Sequence, residues 1–438
     1  MEEHIVIIGN GISGVTAARH IRKNSDKKIT IISAETDYFF SRTALMYVYM
    51  GHMKFEHTQP YEPYFWKKNR IELKRAFVET VDHANKSLIF QDGGSMSYDK
   101  LILAVGSTPN KFGWPGQDLL GVQGLYSAQD LQKLEDNAPN NKVCKHAVIV
   151  GGGLIGIEMA EMLATRNIPV TFLVREDSFW NGVLPSGESA MINRHIKNHH
   201  IDLRLGMNLK EILADENGRA RAAVIAETGE EIACDVVGLT AGVSPNISFL
   251  KDSGIELGRG IKVNPMLETN IPDIYAIGDC AEQHQGINGR RPIEAVWYTG
   301  RMMGEALAQT ICGRPTPYNP GHWFNSAKFF DIEYQTYGWV FSDARNEPEH
   351  QQLFHWKHED DTKCITIATH KDTGKFIGIN TFGIRMRHET FDRWLTEERD
   401  TDYVVEHLAE ANFDPEFYKH FENAIQTAYK GAKAFAKA

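Results

Sequence analysis

Two short glycine-rich strings each follow a run of apolar residues. Gly9-Asn10-Gly11-Ile12-Ser13-Gly14 follows residues 5–8, and Gly151-Gly152-Gly153-Leu154-Ile155-Gly156 follows residues 147–150. Both have the spacing G-x-G-x-x-G between a buried-looking strand and the start of a helix. In this arrangement the first glycine forms a tight turn, the second lets a pyrophosphate approach the backbone, and the third lets helix and strand pack closely. One such string is weak evidence, but two together predict two bound dinucleotides and electron transfer between them.

Further residues near these strings are predicted to contact the dinucleotides. The unpaired N–H groups at the start of each helix would bind a pyrophosphate, because that end carries partial positive charge. We expect the following positions to line the two dinucleotides: Gly9, Gly11, Ser13, Gly14, Gly151, Gly153 and Gly156. Glu35 follows a strand predicted over 28–33 and lies 21 residues beyond Gly14. A carboxylate at this distance accepts hydrogen bonds from an adenosine ribose.

Composition is typical of a globular enzyme. The chain has 438 residues, enough for two or three domains, with 42% hydrophobic and 24% charged residues. The net charge of −10 argues against a broad nucleic-acid surface. The sequence enters a strand almost at once, and no stretch approaches the ~20 apolar residues that span a bilayer. We therefore expect a cytoplasmic protein.

The cysteines and histidines do not suggest a metal site. No two of the five cysteines form a C-x-x-C pair, so isolated buried thiols are predicted. His195, His199 and His200 lie in a predicted helix, and the first two share a face. Because the sequence identifies no further ligands, we predict solvated histidines and no bound metal.

The C-terminal part of the chain has a different pattern. Beyond about residue 319, alternating runs at 332–337 and 364–367 predict a small antiparallel sheet. Helical patterns cover 388–410 and 415–437.

The combined motifs resemble those of a known superfamily. The unit around Gly9, Glu35, the string at Gly151 and Tyr275-Ala276-Ile277-Gly278-Asp279 together resemble the pyridine nucleotide-disulphide oxidoreductase superfamily, over roughly residues 4–340. The resemblance implies an α/β fold with two Rossmann-like domains, the NAD(P) domain being inserted in a split FAD domain, plus a C-terminal α+β interface domain. The boundaries that we expect are 1–112 and 243–318 for FAD, 113–242 for NAD(P), and 319–438 for the interface domain.

The same resemblance implies roles for residues around FAD. Asp279 matches the aspartate that hydrogen-bonds the ribityl chain, and Arg42 resembles a residue that reaches the phosphates. Ala104 and Val78 match backbone positions beside the adenine half.

Three residues match positions near the reacting rings. Glu158, directly after the second glycine string, matches a glutamate beside the nicotinamide and flavin, and Trp297 resembles a segment along the flavin edge. Ferredoxin reductases place a lysine near flavin N5 in the sequence Pro-Pro-Leu-Ser-Lys. Here Thr43-Ala44-Leu45-Met46-Tyr47 stands instead, so Tyr47 can stack or donate a hydrogen bond but supplies no charge.

Within this superfamily, the chain resembles a branch that lacks a redox-active cysteine. Disulfide reductases carry such a cysteine near the second helix, but residues 38–47 contain none. The pair Ser41-Arg42 is similar to the ferredoxin- and rubredoxin-reductase branch, which includes apoptosis-inducing-factor-like proteins and the NADH-oxidising part of nitrite reductase. This implies an FAD-dependent NAD(P)H oxidoreductase, which passes hydride from NAD(P)H to FAD and electrons to a non-disulfide acceptor.

The choice of nicotinamide stays open. Val174 occupies the position of the family's usual NADH-selecting carboxylate, and it bonds no hydroxyl. Arg175 stands where NADPH users place an arginine, but Asn181 replaces the second expected arginine. Glu176 would repel a 2′-phosphate and suits a free ribose diol.

The acceptor also has alternatives. We expect a small redox protein such as ferredoxin or rubredoxin, although like charges slow the encounter of acidic carriers with this acidic chain. A simple NAD(P)H oxidase, a membrane-surface NADH:quinone reductase and a redox-controlled binding protein of apoptosis-inducing-factor type are the alternatives. The membrane alternative rests on an apolar stripe at helical spacing, formed by Phe417, Phe421, Ile425, Ala428, Ala432 and Phe435. We expect a homodimer.

Overall fold

A computed structural model describes residues 3–343, 350–414, 416–417 and 419–435. The helices are α1 (Ile12–Asn24), α2 (Leu45–Tyr49), α3 (Pro63–Lys68), α4 (Ala128–Asn137), α5 (Leu154–Thr165), α6 (Ser186–Asn198), α7 (Trp297–Ile311), α8 (His388–Thr396), α9 (Thr401–Glu406) and α10 (Glu422–Phe435). The strands are β1 (His4–Ile8), β2 (Lys28–Ser33), β3 (Ile71–Arg75), β4 (Val78–Asp82), β5 (Ser87–Phe90), β6 (Ser95–Ser97), β7 (Lys100–Leu103), β8 (Ser107–Pro109), β9 (Val122–Gln123), β10 (Ala147–Val150), β11 (Val170–Val174), β12 (Asp202–Leu205), β13 (Leu209–Ala214), β14 (Ala220–Ile225), β15 (Glu231–Ala233), β16 (Val236–Leu239), β17 (Val243–Pro245), β18 (Ile261–Val263), β19 (Ile274–Ala276), β20 (Ala281–Gln283), β21 (Phe324–Phe329), β22 (Ile332–Gly338), β23 (Gln351–Lys357), β24 (Cys364–His370) and β25 (Phe376–Phe382).

The chain divides into two compact units. The first unit contains Met1–Gly113, Gln123–Pro139 and Ala241–Gly321, and the second contains Trp114–Val122, Asn140–Thr240 and His322–Ala438. The first unit is therefore built from three separate stretches of chain. The predicted boundaries at 112, 242 and 318 lie near ends of these stretches, but 123–139 belongs to the first unit. The division into three domains stays a prediction.

A parallel sheet forms the centre of the first unit. Its strands are ordered β19-β7-β1-β2-β3, and all neighbours run parallel. Ile5, Val6 and Ile7 of the central strand β1 are 0% exposed. Both faces of such a sheet are covered, which is why β1 is a continuous apolar run rather than an alternating one. The carboxyl ends of these strands therefore lie at one edge, where ligands of open α/β sheets bind.

Small residues let α7 pack closely on α1. A Cβ atom added at Gly304 would lie 2.6 Å from the Ser13 carbonyl oxygen, and one at Gly278 would lie 2.6 Å from the Ser13 hydroxyl. Ser13 is buried. Its hydroxyl thus faces the backbone at Gly278, and this close packing holds Asp279 near the start of α1.

The second unit contains another parallel sheet. Strands β12-β11-β10-β16 are adjacent in this order and run parallel. All four residues of β10 are buried. The two parallel sheets, each with a glycine string after its central strand, confirm the predicted α/β class with two Rossmann-like sheets.

The second unit also contains the predicted antiparallel sheet. Its strands are ordered β21-β22-β25-β24-β23, and every pair is antiparallel. The helical pattern predicted over 388–410 is divided between α8, which ends at Thr396, and α9, which begins at Thr401, and the pattern predicted over 415–437 contains α10 (Glu422–Phe435). Glu398 between α8 and α9 has φ 50°, a left-handed conformation that ends an α-helix.

Four of the five cysteines are buried, as predicted, and Cys312 is half-buried. All five are free, and Cys144, Cys234, Cys280 and Cys364 are buried. Burial raises the pKa of Cys280 to about 12, so this thiol is unreactive at neutral pH. Among the described residues, no helix is both long enough and apolar enough to cross a lipid bilayer.

A carboxyl group is buried in the core of the second unit. Glu188, in the first turn of α6, is 0% exposed. Its Oε2 accepts a hydrogen bond of 2.9 Å from Asn380 Nδ2 on β25, whereas its Oε1 has no hydrogen-bond partner among the described residues. Burial raises the pKa of Glu188 to about 8, although hydrogen bonds from Thr366 and Asn380 oppose the shift.

Because Glu188 is buried, we expect the free energy of unfolding to decrease as pH rises. Between its ordinary pKa of 4.5 and about 8, the folded protein keeps a proton on Glu188 that the unfolded chain releases. The free energy of unfolding should therefore decrease by about 1.4 kcal/mol per pH unit in this window from this group alone. Glu188→Gln should remove this contribution, and calorimetry from acidic to alkaline pH measures it. The exposed Glu216→Gln is the control, and a variant Glu188→Gln with an unchanged pH slope contradicts the prediction.

Candidate functional site

The first glycine string forms a tight loop with one open position. Gly9 follows β1 with φ 113°, and a Cβ there would lie 2.1 Å from the Ala104 carbonyl oxygen. A Cβ at Gly14 would lie 2.1 Å from the Gly9 carbonyl oxygen. A Cβ at Gly11 would meet nothing within 4 Å. Gly9 and Gly14 are therefore required by packing, while Gly11 leaves free space at the start of α1.

The open space at Gly11 suits an anionic group. The first turn of α1 contains no acidic residue, and Gly11 as its N-cap contributes no side chain. The N–H groups of that turn carry partial positive charge. The first unit therefore has the cradle that a pyrophosphate requires.

Glu35 and Arg42 are brought together beside this loop. Arg42 Nη1 and Nη2 donate hydrogen bonds of 2.8 and 2.6 Å to the two carboxylate oxygens of Glu35. The backbone N–H of Ala128, at the start of α4, donates to Glu35 Oε1 at 3.0 Å. Burial acts to lower the pKa of Arg42, but the hydrogen bonds and charge of Glu35 raise it above its ordinary value. The sequence predicted both residues separately and did not predict their pairing.

Asp279 belongs to the same cluster and follows β19, the strand at one edge of the sheet. It lies in a short turn, Gly278–Cys280, directly after β19. The Ser107 hydroxyl donates a long hydrogen bond of 3.5 Å to Asp279 Oδ2. Burial raises the pKa of Asp279, and the positive charge of Arg42 opposes that shift. Arg42 thus supplies the positive charge that faces both carboxyl groups, Glu35 and Asp279.

Tyr126 connects these groups and was missed by the sequence analysis. The Arg42 guanidinium lies 4.5 Å from the centre of its ring, and the Ser107 N–H donates to its hydroxyl at 3.0 Å. Burial, and then the charge of Asp279, raise the pKa of Tyr126 to about 12. Its backbone is held by Asp130 Oδ2, which accepts from Tyr126 N at 3.0 Å within the capping box of α4. The capping box at Ser127 and Asp130 can be recognised in the sequence. The contact between Tyr126 and Arg42 cannot, because it joins residues that are distant in the chain.

The remaining predicted residues of the first unit lie on other elements. Ala104 is buried after β7, and Val78 is buried at the start of β4. Tyr47, in α2, stacks on His52 with 6.0 Å between ring centres. Trp297 begins α7 and contacts Tyr298 edge to face at 5.5 Å. The roles of these four residues, like those of Glu35, Arg42 and Asp279, stay predictions.

The second glycine string repeats the geometry of the first. Gly151 has φ 118°. A Cβ at Gly156 would lie 2.3 Å from the Gly151 carbonyl oxygen, whereas a Cβ at Gly153 would meet nothing within 4 Å. A Cβ at Gly152 would lie 2.6 Å from Val174 Cγ1. Val174 therefore packs under the loop, and Gly153 leaves free space at the start of α5.

Glu158 lies in α5 beside a second carboxyl group. Burial, and then the negative charge of Glu161, raise the pKa of Glu158 to about 7. Lys328 Nζ forms an ion pair of 2.9 Å with Glu161 Oε1. Both the protonated and the ionised form of Glu158 are therefore present near neutral pH.

Arg175 and Glu176 follow β11 and pair with each other. Arg175 Nε donates to Glu176 Oε1 at 2.7 Å, and the Arg175 side chain is 75% exposed. The charge that would attract a 2′-phosphate is thus compensated by its neighbour. An exposed pair of this kind is weak, so a ligand can replace it.

Comparison with known proteins agrees with this geometry. The model of the pyridine nucleotide-disulphide oxidoreductase family matches residues 3–304. An NADH oxidase from Methanocaldococcus jannaschii is 31% identical over 343 residues, which is 75% of this chain and 74% of that protein. The ferredoxin reductase subunit of 5,5′-dehydrodivanillate O-demethylase from Sphingobium sp. is 31% identical over 338 residues, or 76% and 81% of the two chains.

A solved structure shows the same fold. The ferredoxin reductase of the CYP199A2 system from Rhodopseudomonas palustris superimposes with a TM-score of 0.79 at 22% identity, covering 87% of this chain and 91% of that one. From the two glycine loops, the Glu35–Arg42–Asp279 cluster and the match over residues 3–304, the chain belongs to the pyridine nucleotide-disulphide oxidoreductase family, whose members use FAD and NAD(P)H.

Proposed function

We propose that this protein is an FAD-dependent NAD(P)H oxidoreductase that passes electrons to a small redox protein of the ferredoxin or rubredoxin kind. The observation that carries the proposal is the pair of glycine loops, one in each unit, whose middle glycines Gly11 and Gly153 both face open space. The resemblance to a ferredoxin reductase subunit supports the type of acceptor.

The residues of the first unit fit FAD. The loop at Gly11 would take the pyrophosphate. Arg42 would exchange its pairing with Glu35 for the pyrophosphate, and Glu35 would then accept from the adenosine ribose. Asp279 would hold the ribityl chain. FAD supplies the hydride-accepting ring and the ability to release electrons singly, which the amino-acid side chains lack.

The residues of the second unit fit the nicotinamide dinucleotide. The loop at Gly153 would take its pyrophosphate, and Glu158 would stand beside its nicotinamide ring. When that ring loses hydride it gains positive charge, which an ionised Glu158 stabilises. Such stabilisation acts mainly in the transition state, so it accelerates the transfer.

Stopped-flow mixing without oxygen tests the proposal. NADH or NADPH should bleach the bound flavin, and subsequent addition of a ferredoxin or rubredoxin should restore its absorbance while the carrier becomes reduced. If neither nucleotide bleaches the flavin, the oxidoreductase proposal is wrong. If oxygen restores the flavin faster than every carrier does, the protein is an oxidase like its Methanocaldococcus jannaschii relative.

The C-terminal helix limits the membrane alternative. Ile425 of α10 is 0% exposed in the core of the second unit, and Phe421 lies 6.1 Å from Trp356 between ring centres. Part of the apolar stripe is therefore used in packing. Phe417 and Phe435 are exposed at 81% and 87%. Flotation with anionic vesicles separates this alternative from a cytoplasmic protein.

Two further parts of the proposal concern assembly. The protein is proposed to form a homodimer, and sedimentation of the flavin-loaded protein measures the mass of the assembly. An NADH-dependent change of assembly, together with slow reoxidation by every carrier, would support the redox-controlled binding protein instead.

The pairing of Arg175 and Glu176 predicts how the nicotinamide preference can be changed. Glu176→Gln removes the charge that repels a 2′-phosphate and releases Arg175. The ratio of kcat/KM for NADPH to that for NADH should rise about tenfold, as expected for one charge-assisted hydrogen bond. Arg175→Gln is the matched variant and should lower the same ratio. Equal changes with both nucleotides would show that the pair does not contact the 2′ position.

A further inference from the structure

Two histidines and an aspartate meet at the surface of the second unit. His195 lies in the last turn of α6 and His199 directly follows that helix, so the two side chains lie one turn apart on the same face. Asp331 lies in the turn between β21 and β22. The three residues come from distant parts of the chain and meet only in the folded protein.

The donor atoms of the three side chains converge. His195 Nε2 lies 2.7 Å and His199 Nε2 lies 3.6 Å from Asp331 Oδ1. One ligand atom from each residue lies within 4.8 Å of the other two. Ligands at about 2.0–2.2 Å from a tetrahedral ion lie roughly 3.3–3.6 Å apart, so the hydrogen bond of 2.7 Å between His195 Nε2 and Asp331 Oδ1 would lengthen slightly when an ion enters. The cluster thus has the size of a metal site.

The surrounding structure orients the histidines. His199 Nδ1 lies 3.0 Å from the His195 carbonyl oxygen, so Nδ1 carries the proton and Nε2 offers its lone pair. The ring of Phe330 stacks on His199, with 4.2 Å between centres and 18° between planes. Phe330 has φ 55°, an uncommon conformation for an aromatic residue, in the turn that presents Asp331.

The cluster is accessible from solvent on one side. The side chain of His195 is 7% exposed, that of His199 35% and that of Asp331 73%. An ion can therefore enter past Asp331, and water can complete its coordination. The positive charge of the nearby Arg194 is paired with Asp361, whose Oδ2 accepts a hydrogen bond from Arg194 Nε at 2.6 Å.

We propose that His195, His199 and Asp331 form a binding site for a divalent transition metal ion of the zinc type, with water as the remaining ligand. Two imidazole nitrogens and one carboxylate form a ligand set typical of zinc. The ion would join the end of α6 to the β21–β22 turn. This replaces the solvated face that the helix alone predicted, since Asp331 supplies the ligand that the sequence analysis lacked.

Titration of the flavin-loaded protein tests the site. The protein is freed of metal with a chelator, and binding of Zn²⁺ is measured by calorimetry. Co²⁺ serves as a coloured probe, whose visible spectrum reports the number of ligands. We expect one equivalent to bind, and Asp331→Asn and His199→Gln each to weaken binding at least about tenfold. Flavin content and circular dichroism verify that these surface variants fold.

Two control variants make the outcome specific. His200→Gln changes an exposed histidine next to the site, and Asp372→Asn changes a separate cluster, where His350 Nδ1 lies 3.1 Å from Asp372 Oδ2. Both controls should bind Zn²⁺ like the wild type. The proposal is overturned if the wild type binds no stoichiometric Zn²⁺, if Asp331→Asn binds as tightly as the wild type, or if only Asp372→Asn loses binding.

Discussion

Gly11→Ala should yield a folded protein that binds FAD about 10- to 100-fold more weakly than the wild type. Gly11 has φ −72° and ψ −177°, which alanine adopts without strain. The added methyl group meets nothing within 4 Å in the protein itself. It fills the space that we assign to the pyrophosphate, and overpacking of this kind costs about 1–3 kcal/mol.

The second glycine loop provides a matched control. Gly153 also has an extended backbone, with φ −110° and ψ −175°, and open space at its Cβ position. Gly153→Ala should therefore retain its flavin but show a KM for NAD(P)H raised by a similar factor. The measurements are flavin absorbance per protein after dialysis, FAD titration of the apoprotein, and steady-state kinetics.

A third glycine distinguishes ligand contact from packing. A Cβ at Gly14 would lie 2.1 Å from the Gly9 carbonyl oxygen, so Gly14→Ala should lower the thermal stability even without FAD. Gly11→Ala should leave the stability of the apoprotein unchanged. If Gly11→Ala binds FAD normally, or if Gly153→Ala loses FAD instead, the assignment of the two loops is wrong.

Flavin reduction by NAD(P)H should become faster as pH rises through about 7, and Glu158→Gln should remove this dependence. Burial and the charge of Glu161 raise the pKa of Glu158 to about 7. Below this pH the carboxyl group is neutral, and above it the carboxylate can stabilise the positive charge that develops on the nicotinamide. At about pH 8.5 the variant should reduce its flavin some tenfold to a hundredfold more slowly, as for other lost electrostatic contacts.

A neighbouring substitution tests the cause of the shift. Glu161→Gln removes the negative charge that raises the pKa of Glu158. The midpoint of the pH profile should therefore move to lower pH, while the limiting rate at high pH stays near that of the wild type. Single-turnover stopped-flow at several pH values measures both quantities. A profile that is unchanged in both variants would exclude Glu158 from the transfer step.

Much of the fold followed from local sequence patterns. The run at Ile5 and the string from Gly9 to Gly14 are adjacent in the chain, and their order of strand, turn and helix is decided by steric limits that each residue carries. The same holds for the string at Gly151. Alternation of side chains at 332–337 likewise indicated a strand with one covered face, because successive side chains point to opposite sides.

Contacts between distant residues could not be read from such patterns. The pairing of Arg42 with Glu35, and the position of Tyr126 over Arg42, depend on how α4 returns to the first unit. The burial of Glu188 against Asn380 depends on how α6 packs on the antiparallel sheet. Neither the pairing nor the burial leaves a periodic trace in the sequence.

Features that depend on neighbouring residues in the chain and features that depend on tertiary packing have different physical causes. The sequence by itself determined the two glycine loops, because the glycine requirement is set by backbone sterics within a few residues. Only the tertiary structure decided the shifted pKa of Glu158, the charge balance around Asp279 and the meeting of His195, His199 and Asp331. Those properties depend on burial and on charges supplied by other elements, which are decided when the sheets and helices pack.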